Sequence, residues 1–121
     1  MGVVYNANYL RWFEIGRTEM LRQIGLIYRD LEQSGYYLPV TEAYCHYLSP
    51  ARYDDLIIVQ TTIAFLRHAS IKFDYRIWDE VKDRLIAEGY TRHAFIDESG
   101  KIARVPQNVK EYIKKRQAKG V

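Results

Sequence analysis

Apolar and polar positions follow two different periods along this chain, and the change of period divides it. Between residues 8 and 24 the apolar positions recur at three and four: Leu10, Phe13, Leu21 and Ile24, with Arg17 on the same line and Trp12 and Met20 flanking it. That spacing predicts an amphipathic helix, which Asn6 or Asn8 could cap. Gly25 ends or kinks it, and YRDLEQSG predicts a shorter helix closed by Gly35.

From residue 38 the period is two. LPVTEAYCHYL (38–48) predicts a strand with Pro39 confined to its start, SPARYDD a turn-bearing connection, and LIIVQTTIAFL a second strand. SIKFDYRIW alternates most cleanly, with Ile71, Phe73, Tyr75 and Ile77 on one face and Ser70, Lys72, Asp74 and Arg76 on the other. A longer strand follows over residues 84–97, where Gly89 allows a bend or a close neighbour. ESGK is a turn, IARVP a short edge segment, and residues 107–117 a terminal helix running into a basic tail. A lone amphipathic helix and a mostly antiparallel sheet can bury their apolar faces only against each other, so the expectation is one two-layer α+β domain over residues 1–121. The sheet face away from the helix is only half polar, and pairing with a second subunit would cover it.

Composition adds exclusions. No apolar run approaches the length of a membrane span, and no basic-then-apolar leader opens the chain. One cysteine, Cys45, gives no disulfide framework, which fits a reducing cytoplasm. The net charge of +3 resides in the tail, where Lys114, Lys115, Arg116 and Lys119 alone carry +4; a neutral body with a basic end argues against nucleic acid. Three scattered histidines (His46, His68, His93) make a poor metal set. No nucleophile elbow and no phosphate or dinucleotide glycine loop is present. The acidic pairs Asp54–Asp55 and Asp79–Glu80 read as solvated turns, Cys45 as a small core residue and His93 as a structural strand residue. At the start, Gly2 permits close backbone approach, and the helix that follows presents N–H groups without internal partners, a place where an oxyanion could be stabilised. An ordinary buried helix entry fits the same residues.

Four ordered blocks carry the reading further: GVVYNANYLRWFEIGRTEML, LPV, SPARYDD and EGYTRHAFIDESGKIARVP. Together they resemble the acyl-CoA thioesterases of the hot-dog fold, in their 4-hydroxybenzoyl-CoA thioesterase-like (YbgC-type) branch, over roughly residues 1–106. The resemblance implies a long central helix wrapped by a curled antiparallel sheet, with protomers joined edge to edge into a homodimer, often a dimer of dimers, and sites at the interface. The implied activity is hydrolysis of an acyl-CoA thioester to free acid and CoA, with no metal or other cofactor. The family's catalytic aspartate precedes the glycine matching Gly2 by three residues, so it falls two residues before Met1, together with most of the family's first strand. Either the start is assigned too late, or an internal methionine is taken as the start, or this is a shortened relative without the family's base.

By the same resemblance Gly2, Tyr5 and Asn6 form the catalytic end, with the Asn6 backbone N–H polarising the thioester carbonyl. Val4, Tyr9, Phe13, Glu14 and Arg17 would line the acyl pocket, and Arg52, Arg67, His68, Arg92 and Arg104 are candidates for holding CoA. Glu14, Arg17 and Thr18 equally suit a structural salt bridge or a solvated face. A non-catalytic acyl-CoA-binding protein is the alternative. A dehydratase of the same fold is disfavoured, because residues 8–24 contain no histidine.

Overall fold

The computed structural model describes residues 6–23, 25–26, 28–52, 55–81 and 83–118. Two helices, α1 (Asn6–Gln23) and α2 (Tyr28–Gln33), precede four strands, β1 (Val40–Tyr47), β2 (Ile57–Leu66), β3 (Ser70–Asp79) and β4 (Arg84–Ala94). A third helix, α3 (Gln107–Ala118), ends the described chain. Each strand pairs antiparallel with its neighbours in the order β1-β4-β3-β2. The predicted last strand stops at Ala94; beyond it Ile96 makes isolated bridges to Tyr37 and Ile102.

The period-two face of β3 is the floor of the core. Ile71, Phe73, Tyr75 and Ile77 are all buried, while Asp74 and Arg76 between them are exposed. α1 lies over this face and buries Tyr9, Phe13, Met20 and Leu21. Two glycines allow the close approach. A methyl group on Gly16 would strike Thr61 and Val59 of β2, and one on Gly89 would strike the Tyr44 carbonyl and the Phe13 ring. α3 closes one side of the cluster with Val109 and Ile113.

The sheet is not curled around the helix, and this corrects the expectation drawn from the resemblance. Among the described residues it is open, with β1 and β2 as two edges that do not pair with each other. α1 is therefore covered on one side only. Leu10, expected on the buried stripe, is 44% exposed and Ile15 is 56% exposed, whereas Phe13 is fully buried. Ile24, at the end of that stripe, lies outside the described residues. Among the described residues no helix is long and apolar enough to cross a membrane.

Candidate active site

The helical spacing that buries Phe13 places Leu10, Glu14 and Arg17 on the flank of α1 beside it. There they face Val40 and Ala43 of the edge strand β1 across a groove of about 810 Å³. Thr91 of β4 forms part of the groove lining although it is almost wholly buried. Its hydroxyl lies 2.6 Å from the Tyr75 hydroxyl and 2.9 Å from His93 Nε2. Arg17 donates to the Tyr75 oxygen at 3.4 Å, and His93 Nδ1 lies 3.1 Å from the Leu38 carbonyl. Burial pushes the His93 pKa down to about 4, against the opposing pull of the Leu38 carbonyl and with a smaller downward push from the Arg17 charge. Burial likewise raises the Tyr75 phenol, with Thr91 and Arg17 opposing. His93 is thus a neutral strand residue in the core, as its sequence pattern implied.

A second constellation sits at the N-terminal end of α1. Asn6 is the first helical residue, so its N–H belongs to the turn whose amides have no partner within the helix. One turn on, the buried Tyr9 packs edge-on against Trp12 and Tyr47, and its hydroxyl accepts the Ala51 N–H at 3.2 Å. From the other side Arg84 donates to the Pro50 carbonyl at 3.1 Å and pairs with Asp55 and Asp79 at 3.9 and 3.7 Å. The connection after β1 is thereby clamped beside the helix start. Asp79 corrects the reading of its pair as solvated: it ends β3 only 1% exposed, because Arg84 compensates its charge.

The expected CoA-binding residues do not assemble in one place. Arg67 and Arg92 converge on the Phe65 ring, at 4.0 and 5.4 Å from its centroid. Arg104 is adjacent to Val105, whose N–H bonds the His68 carbonyl, so His68 and Arg104 share that end of the sheet. Arg92 also pairs with Glu42 at 3.7 Å. Arg52, by contrast, precedes β2 while Arg67 follows it. The ten residues of β2 separate the two by on the order of 30 Å. Gly2, Val4 and Tyr5 lie outside the described residues. Tyr9 and Phe13 are placed in the core, and of the expected pocket residues the groove receives Glu14 and Arg17. Among the described residues no three histidine, cysteine or acidic side chains gather as a metal group.

The sequence profile of the Thioesterase-like superfamily matches residues 1–113. The chain belongs to this hot-dog-fold superfamily, close to its YbgC-type acyl-CoA thioesterases. A putative esterase of Aquifex aeolicus is 34% identical over 113 residues, covering 93% of this chain and 86% of that protein. The acyl-CoA thioester hydrolase YbgC of Escherichia coli O157:H7 is 38% identical over 76 residues, 63% of this chain and 57% of the relative. Among solved structures, a DHNA-CoA thioesterase from Staphylococcus aureus superposes with a TM-score of 0.90 at 30% identity, over 98% of this chain and 81% of that one.

Within this thioesterase-like chain, two groups of residues escaped sequence reasoning. Thr91 and His93 share the inward face of β4, and Tyr75 faces the helix from β3, a polar cluster that period-two alternation alone reads as core. Arg84 and Asp79 flank a turn and pair only because the β3–β4 register sets them opposite each other. The alternation of β4 could have marked Thr91 and His93 as inward polar residues requiring partners.

Proposed function

We propose that this thioesterase-like protein hydrolyses an acyl-CoA thioester to a free carboxylic acid and CoA, at the N-terminal end of α1. The observation that carries the reading is the superfamily match over residues 1–113 together with a helix that starts at Asn6 and is tied, one turn on, to Ala51 through the Tyr9 hydroxyl. The thioester carbonyl oxygen would accept the Asn6 N–H. An aspartate in the place the family gives it would either take a proton from the attacking water or attack the carbonyl itself. Collapse of the oxyanion breaks the C–S bond, and the thiolate leaves with little need of a proton donor. On the nucleophilic route water then hydrolyses the acyl–aspartyl anhydride to the free acid and restores the carboxylate.

The groove beside Glu14 and Arg17 suits the acyl group, and the Arg67–Arg92 end suits the phosphates of CoA. Thr91 of the groove adjoins Arg92, whereas the α1 start packs on Tyr47 at the far end of β1, and the edge strand supports a way to bring the arginines to that start. β1 is exposed on both faces, with Val40 at 47% and Tyr44 at 49%. Antiparallel pairing of β1 with a second copy reverses the sheet and lays the arginine-bearing end of one protomer beside the α1 start of the other. The outer sheet face, where Tyr44 stacks on Tyr90 at 5.6 Å, suits a dimer of dimers. A lone cysteine fits a cytoplasmic setting.

The test is CoA release, followed with a free-thiol reagent, from short, medium and aromatic acyl-CoAs. The 121-residue chain is run beside a form carrying the in-frame upstream codons. Turnover by the extended form alone supports the reading. Turnover by the 121-residue chain places the base elsewhere, with Glu14 the first group to substitute. Tight calorimetric binding of CoA without release from either form selects a non-catalytic acyl-CoA-binding protein. Neither binding nor release refutes both.

A further inference from the structure

Between the groove and the start of β1 runs an unbroken line of polar groups: Arg17 on α1, Tyr75 on β3, Thr91 and His93 on β4, and the carbonyl of Leu38. The four contacts measure 3.4, 2.6, 2.9 and 3.1 Å. Distances alone leave the protons of the two hydroxyls and the imidazole open, but the ends of the line close the question. A guanidinium has only donors, so the Tyr75 oxygen is an acceptor toward Arg17 and its proton must go to Thr91. A backbone carbonyl has only lone pairs, so His93 Nδ1 carries a proton toward Leu38. Thr91, already accepting from Tyr75, then donates to His93 Nε2. Reversing any member sets two donors or two acceptors against each other in a buried place.

We infer that Tyr75, Thr91 and His93 form a one-way hydrogen-bond chain that positions Arg17 in the groove and holds His93 as its Nδ1–H tautomer. The inference stands apart from the hydrolytic reading, since it concerns proton positions rather than turnover. Its consequence is that His93 offers no lone pair to a ligand: Nε2 is occupied by Thr91, and Nδ1 is a donor to the backbone. The Phe73 ring stands edge-on to the imidazole at 5.5 Å, closing a further side. Arg17 lines the groove while anchored to the sheet, so Tyr75 and Thr91 are positioning residues that touch it directly or through one hydroxyl. Leu38 lies just before β1, so the same chain ties the entry of the edge strand to the groove.

Nitrogen-15 NMR of the full chain labelled in histidine reads this directly. At neutral pH the expected His93 pattern is a protonated Nδ1 and an unprotonated, hydrogen-bonded Nε2. Thr91→Ser should keep the Nε2 resonance near its parent position, and Thr91→Val should move it toward that of an imidazole nitrogen without a donor. Tyr75→Phe should leave the tautomer intact, because Leu38 still sets it, while the Arg17 side-chain NH becomes more dynamic in relaxation measurements. A protonated Nε2 in the parent overturns the inference, as does an Nε2 resonance indifferent to Thr91→Val. Unchanged Arg17 dynamics in Tyr75→Phe overturns the positioning of Arg17. Should Thr91→Val not fold, the parent spectrum alone decides the tautomer.

Discussion

Replacing Phe13 by alanine tests how α1 is seated on the sheet. Phe13 is fully buried and stacks on Tyr75 with centroids 4.3 Å apart and planes 7° from parallel, and its ring also touches the space left by Gly89. Truncating a buried phenylalanine costs about 3–5 kcal/mol, the lost transfer energy plus the cavity left behind. Of this, about 0.5–1.5 kcal/mol belongs to the aromatic pair and should also be lost in Phe13→Leu. Leu10, three residues earlier on the same helix, is 44% exposed, and Leu10→Ala should cost no more than about 1 kcal/mol. Urea unfolding followed by circular dichroism and tryptophan fluorescence measures all three, coincident transitions justifying a two-state reading. With total stability of about 5–15 kcal/mol expected for a domain, the Phe13→Ala midpoint should fall steeply while Leu10→Ala stays near the parent. Equal losses at the two positions, or a Phe13→Ala loss below about 1 kcal/mol, would refute the facing of α1 described above.

Further outcomes are expected elsewhere. Gly89→Ala drives a methyl group into the Tyr44 carbonyl and to within 3.0 Å of the Phe13 ring, and should destabilise by about 1–3 kcal/mol in the same urea assay. Arg84→Met removes the guanidinium beside the buried Asp79 and the donor to the Pro50 carbonyl. It should cost about 1–3 kcal/mol and speed hydrogen exchange over residues 50–55. Because the folded His93 pKa is lowered from 6.5 to about 4, the unfolded chain binds more protons between those values. Stability attributable to this residue should therefore be full above about pH 6.5 and fall as pH drops toward about 4. The loss approaches roughly 3 kcal/mol, and the difference between parent and His93→Gln midpoints across that range measures it.

Much of this architecture is legible in the residues because local period and burial agree. SIKFDYRIW alternates perfectly and is the most deeply buried strand, and Gly25 marks the helix end, whereas Asn6 and Asn8, the expected caps, both lie inside α1. The stripe of α1 was harder. Leu10 and Phe13 are equally apolar and three apart, so spacing alone admits both to one face, and only the position of the sheet decides between them. The curl implied by the resemblance failed for a related reason, since the four described strands form an open sheet whose edges, β1 and β2, are not paired with each other. Resemblance supplied the candidate site, yet the CoA-binding set scattered to two ends of the sheet, because sequence order along β2 says nothing of which ends a ligand must bridge. Asp79 illustrates the opposite limit. Its burial depends on Arg84 across a hairpin, a partner that charge and turn composition do not reveal.

Asn6 offers the most direct test of the central claim, because proline suits the first turn of a helix while removing the one amide assigned to the oxyanion. CoA release from an aromatic and a medium-chain acyl-CoA would be measured for the upstream-extended chain, its Asn6→Ala variant and its Asn6→Pro variant. Hydrolysis at the α1 start predicts turnover in the parent, near-parental turnover in Asn6→Ala, and a fall of about 10²–10³-fold in Asn6→Pro. No release by the parent, or equal release by Asn6→Pro, would contradict it.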